Sequence, residues 1–116
     1  MAVSFHAGFV EPNKLCHRLS FADRNDESAE HYFIMDRMEG SLEEAVPDMD
    51  NVYIERDDQQ WGGFGGIKRV VLDRTSLTIY LGTRMARQMG NHKTIRITFT
   101  LNQFDFGELC EVLDLI

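Results

Sequence analysis

Residues 94–101 alternate without a break, with Ile95, Ile97, Phe99 and Leu101 on one parity and Thr94, Arg96, Thr98 and Thr100 on the other. A period of two is what a β-strand needs to turn one face to a core and the other to water. The same alternation runs through much of the chain. Val3, Phe5, Ala7 and Phe9 share a parity, as do Leu15, His17, Leu19 and Phe21. Between these runs, Glu11-Pro12-Asn13-Lys14 reads as a type I turn, because Pro12 presets φ at its second position. The two runs are therefore expected to form a hairpin. Tyr32-Phe33-Ile34-Met35 is apolar on both parities, which suits a strand covered on both faces. Val52 and Ile54 open a further strand, with Tyr53, Glu55 and Asp57 on its other face. Residues 67–72 and 77–81 make another hairpin around Asp73-Arg74-Thr75-Ser76.

Two stretches have helical spacing instead. Thr83 is placed to cap a short helix near 83–89, Gly90 supplies the left-handed residue that ends it, and Met85 and Met89 face the core. Asp105 and Glu108 mark the start of a C-terminal helix near 105–116, on which Phe106, Leu109, Cys110, Leu113 and Ile116 form one apolar stripe. A polar loop at residues 23–30 and an acidic connection at residues 39–51 link the strands. In the latter, Ser41 and Glu44 cap a helical turn carrying Leu42 and Val46, which Pro47 stops. Strands that are grouped and joined by short turns pair antiparallel. The expected class is α+β: a β-rich antiparallel sheet of about seven strands with the two helices packed over one face. An all-β sandwich is the alternative if the short helices are turns.

At 116 residues, with 43% hydrophobic and 27% charged side chains, the chain is expected to form a single domain over 1–116 around one core. Collagen-like, coiled-coil and disordered classes are excluded, because no heptad or Gly-X-Y period appears and the apolar content is too high. No apolar run approaches the length of a membrane span, and residues 1–10 lack the basic and unbroken apolar regions of a signal peptide, so a cytoplasmic location is expected. Cys16 and Cys110 then read as buried thiols in a reducing compartment.

The formal net charge is −7, and it is unevenly spread. Residues 36–58 hold nine acids against two bases, whereas residues 59–102 hold seven bases and one acid. A chain this acidic is not expected to bind nucleic acid through phosphate neutralisation. Its acidic segment can instead attract a basic protein partner, or serve only as a solvated loop.

Signatures of catalysis are missing. Gly62-Gly63-Phe64-Gly65-Gly66 leads into a strand rather than a helix, so it reads as a flexible connection and not a phosphate cradle. Trp61 and Phe64 on it either pack back on the sheet or act as exposed anchors. His6, His17, His31 and His92 show no ligand spacing, and His17, in phase with Leu15 and Leu19, reads as a core histidine. The carboxylates Glu43-Glu44 and Asp57-Asp58 are sequence neighbours, which point apart in a strand and make poor acid/base couples. Neither Ser41 nor Ser76 sits in a nucleophile elbow. The expectation is a protein that is not an enzyme and holds no metal.

At Tyr53-Ile54-Glu55-Arg56-Asp57-Asp58-Gln59, at Val71-Leu72-Asp73-Arg74-Thr75-Ser76-Leu77-Thr78-Ile79, and in the closing Ile95-Arg96-Ile97 strand with the terminal helix, the chain resembles the Immunity protein 10 family. The resemblance covers residues 50–116, and it implies a β-rich fold, inhibition of a bacterial polymorphic toxin by direct binding, and no cofactor. It agrees with the charge distribution, since an acidic inhibitor meets a basic target quickly. The expected contact surface comprises Glu43, Glu44, Asp48, Asp50, Glu55, Asp57 and Asp58, with Tyr53 and Trp61 as apolar anchors. Two other classes stand beside it: a small-ligand-binding β-domain, and a subunit of a homo-oligomer joined through an exposed sheet edge.

Overall fold

The computed structural model describes residues 2–24, 28–37 and 52–116, with side chains at all of these except residues 2 and 58–60. Among the described residues the elements run β1 (Ala2–Ala7), β2 (Phe9–Asn13), β3 (Arg18–Ala22), β4 (Tyr32–Arg37), β5 (Val52–Arg56), β6 (Asp58–Phe64), β7 (Ile67–Asp73), β8 (Ser76–Leu81), α1 (Thr83–Gln88), β9 (Thr94–Phe99) and α2 (Gln103–Leu115). The class is α+β and mostly strand. The strands form two sheets rather than one, nine strands among the described residues, in the orders β1-β9-β8-β7 and β2-β3-β4-β5-β6.

The two sheets lie face to face, and alternation decides which side chains meet between them. In the four-stranded sheet the register aligns Val3, Ile95 and Ile79 in one row, and Phe5, Ile97, Leu77 and Leu72 in the next. The five-stranded sheet contributes Leu19, Met35 and Ile54 in one row and Phe21 with Phe33 in another. Phe21 and Phe99 stack across the interface with ring centroids 6.3 Å apart. The fully buried ones form one cluster, against which the partly buried Val3, Phe5 and Leu72 pack, and each fully buried side chain contributes about 1.5–3 kcal/mol by leaving water.

Helices close the ends. Met85 of α1 and Met89, its C-cap, are buried as expected, and the helix lies against β6. Its N-cap is Gly82 rather than Thr83, and no side chain caps it. Gly90 does take the left-handed conformation, with φ +83°. The N-cap of α2 is Asn102, whose side chain accepts from the Asp105 N–H at 2.7 Å. This helix packs on β2 and β3 through Leu109 and Val112.

The first hairpin departs from the sequence reading. The strand at residues 3–9 is cut at Gly8, and β1 pairs parallel with β9 instead of with the run that follows it. The hairpin is β2 with β3, closed by residues 14–17, and Pro12 sits inside β2 opposite Leu19. Pro is tolerated there because β2 is an edge strand and owes no ladder bond on its outer side. Leu15 and His17 consequently leave the core pattern: Leu15 is 88% exposed, and His17 lies in the turn with φ +49°. Cys16, also in the turn, is exposed and Cys110 is half-buried, so neither is the buried thiol expected. The helical turn expected at Ser41, Glu44 and Pro47 lies outside the described residues.

The glycine-rich stretch is mostly strand, not loop: β6 runs to Phe64, and only Gly65 and Gly66 turn, with φ +74° and +79°. Its lack of side chains lets α1 approach. A Cβ at Gly66 would lie 2.4 Å from Met85 Cβ. Gly66→Ala therefore combines backbone strain with a clash and should cost roughly 2–4 kcal/mol in urea unfolding. Gly107→Ala, with nothing within 4 Å of the new Cβ and a helical backbone, should instead gain up to about 1 kcal/mol.

Candidate functional site

On β4 and β5, Tyr32, Ile34 and Asp36 share the outer parity with Tyr53 and Glu55, so the pleat turns all five away from the core. Their chemistry converges on Glu55. Its two carboxylate oxygens accept one hydroxyl each, from Tyr32 and from Tyr53, both at 2.5 Å, and only 9% of the residue is exposed. Gly62 faces Glu55 across the β5–β6 ladder, and the Tyr53 hydroxyl reaches over it, 2.6 Å from where a Cβ would stand. The Tyr53 ring lies tilted against Phe64, with centroids 5.2 Å apart, and Phe64 is half exposed. Beside this cluster Asp36 accepts from Arg18 Nε at 3.0 Å and Nη2 at 2.7 Å.

At the end of β5 the parity turns inward and carries Arg56 with it. The residue is buried, its Nε donates to the Met89 carbonyl at 3.0 Å, and its guanidinium lies 4.3 Å from the Trp61 ring centroid. Nη1 donates to Asp57 Oδ2 at 2.8 Å. Asp57 holds a left-handed φ of +61° and accepts from the Tyr32 backbone N–H at 2.9 Å. His31 Nδ1 stands 3.3 Å from the same carboxylate. The β5–β6 turn is thus fastened to the start of β4 by one carboxylate and to the end of α1 by one guanidinium.

Of the nine expected contact residues, the structure brings Tyr53, Glu55, Asp57 and Trp61 together within this region. Glu55 and Asp57 are engaged by neighbours of the same chain. Trp61 is half-buried: part of it packs against the core with Arg56 over its ring, and part stays open to solvent. Glu43, Glu44, Asp48 and Asp50, and the side chain of Asp58, lie outside the described residues. Tyr32 and Arg56 complete the region and were not singled out from sequence, whereas Phe64, read there as either packed back or an exposed anchor, is half exposed. The shared parity of Tyr53 and Glu55 was visible there, but Tyr32 joins them only through the β4–β5 register. Among the described residues no three His, Cys, Asp or Glu side chains are placed to hold a metal ion, and no helix is long and apolar enough to cross a membrane.

Two titrations report on these clusters. The hydrogen bond to Glu55, then burial, then the carboxylate's charge push Tyr53 up to about 12. A proton held more tightly by the folded than the unfolded chain stabilises below the unfolded value of 10.0, and that stability is lost as pH rises toward 12. Tyr53→Phe should therefore flatten the alkaline loss of stability and remove a late-ionising tyrosine from the absorbance titration. His92 is shifted the other way, below 6.5, by burial first and then by the charge of Arg56. Here the unfolded chain binds the proton more readily, so stability should fall as pH drops through 6.5. His92→Gln should make that acid slope shallower in denaturant titrations.

Comparison with known proteins yields no match among curated proteins and none among solved structures. The family Immunity protein 10 matches over residues 3–107, from β1 into α2. That span takes in both sheets, the Tyr32–Glu55–Tyr53 cluster and the Arg56 anchor, and it extends through the N-terminal strands that carried no resemblance of their own. With nearly its whole length matched, the chain belongs to the Immunity protein 10 family.

Proposed function

We propose that this chain is an immunity protein that binds a cognate bacterial toxin and neutralises it by direct protein–protein contact, without chemistry of its own. The observation that carries the reading is the family match over residues 3–107. The charge distribution supports it. Nine acids within residues 36–58 create a strongly negative segment, and a field of that sign accelerates encounter with a basic protein while repelling acidic ones. The toxin is basic on the side that meets this chain, and the inhibitor acts where it is made, in the cytoplasm.

The contact surface takes its charge from Glu43, Glu44, Asp48, Asp50 and Asp58 and its apolar anchors from Tyr53 and Trp61. Within it Glu55 and Asp57 act as positioning residues. Glu55 holds the Tyr53 ring in place by accepting its hydroxyl, and Asp57 fixes the backbone of the turn after β5. Tyrosine suits this role, because it offers a large amphipathic area with few torsions to freeze.

Co-expression with a candidate cognate toxic domain should restore growth. Charge reversal at Glu43, Glu44 and Asp48 should slow association by about 10- to 100-fold at low salt, with the difference shrinking near 1 M salt. Growth that stays arrested, with no complex on mixing, would show that the chain is not this toxin's inhibitor; unchanged association would remove the acidic segment from the interface.

A further inference from the structure

The side of the molecule formed by β2 and α2 carries features that neither the core nor the Tyr53 region uses. Between the edge strand and the helix lies a hollow of about 310 Å³. Its lining includes the apolar Val10, Pro12 and Leu101 and three acidic residues, Glu11, Asp105 and Glu108. Among the described residues none of these three carboxylates has an ion-pair partner. Lys14, the cation on the adjoining turn, is instead bound to Glu111 and only attracts Glu108 through space.

Exposed apolar side chains lie on the same helix and on the turn that adjoins the edge strand. Leu15, 88% exposed, follows Lys14 on the β2–β3 turn, and Phe104, 74% exposed, precedes Asp105 on α2. Spacing on the helix puts Phe104, Glu108, Glu111 and Leu115 on one outward stripe, apolar at both ends and acidic in the middle. Three of the four large exposed hydrophobic residues among the described ones are thus gathered here, where scattered single exposures are the ordinary case.

We infer that this β2–α2 surface is a docking site for a basic amphipathic segment of the toxin. The inference rests on the proposed function for the identity of the partner. An arginine or lysine of the segment enters the hollow, its aliphatic stem lies on Pro12 and Val10, and its charged head meets Glu11, Asp105 and Glu108. Apolar residues of the segment cover Phe104 and Leu15. Charge selects this occupant over a second copy of the chain, because a two-fold pairing would set the three carboxylates of one copy against the same three of the other.

The test has two arms on the full chain. In the first, amide resonances are followed by NMR as Ac-Leu-Arg-Leu-Arg-NH2 is added, with a twin in which citrulline replaces arginine. Saturable shifts at Glu11, Leu101, Asp105 and Glu108 are expected, about 10-fold weaker for the citrulline twin. They should be abolished in a Glu11→Gln, Glu108→Gln double variant and weakened by Phe104→Ala, an exposed position whose loss leaves the core intact. Shifts that are absent, that fall elsewhere, that survive in the double variant, or that appear on concentration without peptide (a second copy) overturn the site. The second arm measures affinity for the toxic domain. The double variant should lose about 10-fold or more. Equal affinity of wild type and variant removes this surface from the interface while leaving the toxin reading intact. Peptide binding with no toxin binding by the wild type removes the toxin as its occupant.

Discussion

Arg56 is the buried cation among the described residues, and much of the surrounding geometry is arranged to make its burial tolerable. A guanidinium withdrawn from water without partners costs several kcal/mol, more than a typical net stability margin can absorb alongside other losses. Here the cost is offset by three different interactions. The Met89 carbonyl, one of the acceptors a helix end leaves unused, takes a hydrogen bond; the Trp61 face takes the flat side of the cation; and Asp57 takes a charge-assisted bond. Each partner is tied to a different element. Removing the guanidinium would release the end of α1, the anchor of β6 and the turn after β5 together, which is why these pieces behave as one end of the molecule.

That turn shows how the charge and the backbone depend on one another. The β5–β6 ladder is irregular between Glu55 and Arg56, and Asp57 sits at φ +61°, a region that costs a non-glycine residue of order 1–3 kcal/mol. The strain persists because the Asp57 carboxylate holds the Tyr32 N–H while its own N–H donates to the Tyr32 carbonyl at 3.1 Å. Asp is among the residues that enter this conformation most easily. Ordinary strand alternation keeps Glu55 on the outer face with the tyrosines and turns Arg56, one residue later, to the inside.

The alternation of Ile95, Ile97 and Phe99 carried the four-stranded sheet's core strand directly into the structure, and Met85, Met89 and Gly90 did the same for α1. Local pattern says which face a side chain takes, not which strand lies beside it. Gly8 therefore reads as one more position of an alternating run, although the chain leaves one sheet there for the other, and the parallel β1–β9 pairing joins segments some ninety residues apart. Pro12 has a turn residue's preference, but inward placement of Leu19 decides the register and leaves the proline on an edge where it does no harm. The glycines of β6 signal flexibility in isolation and close packing once α1 is laid on them. In the candidate site, Tyr53 and Glu55 were legible as same-face neighbours, whereas the contributions of Tyr32 and Arg56 depend on register and on a helix end that no local window contains.

Linear charge density and available charge are different quantities in this molecule. The acids of residues 36–58 that the structure describes are each engaged by their own chain: Asp36 by Arg18, Glu55 by two tyrosines, Asp57 by Arg56 and His31. A carboxylate already neutralised or hydrogen-bonded within the fold offers a partner less, because the partner must replace an existing interaction rather than create one. Glu11, Asp105 and Glu108 are farther apart in sequence and fewer in number, yet the β2–β3 hairpin and α2 bring them around one hollow with no cation of their own between them. A basic partner gains more from these three charges than from Asp36, Glu55 and Asp57, whose carboxylates the fold already engages. Recognition by this chain is then divided between a long-range attraction set by overall acidity and a short-range fit set by which carboxylates the fold leaves unpaired.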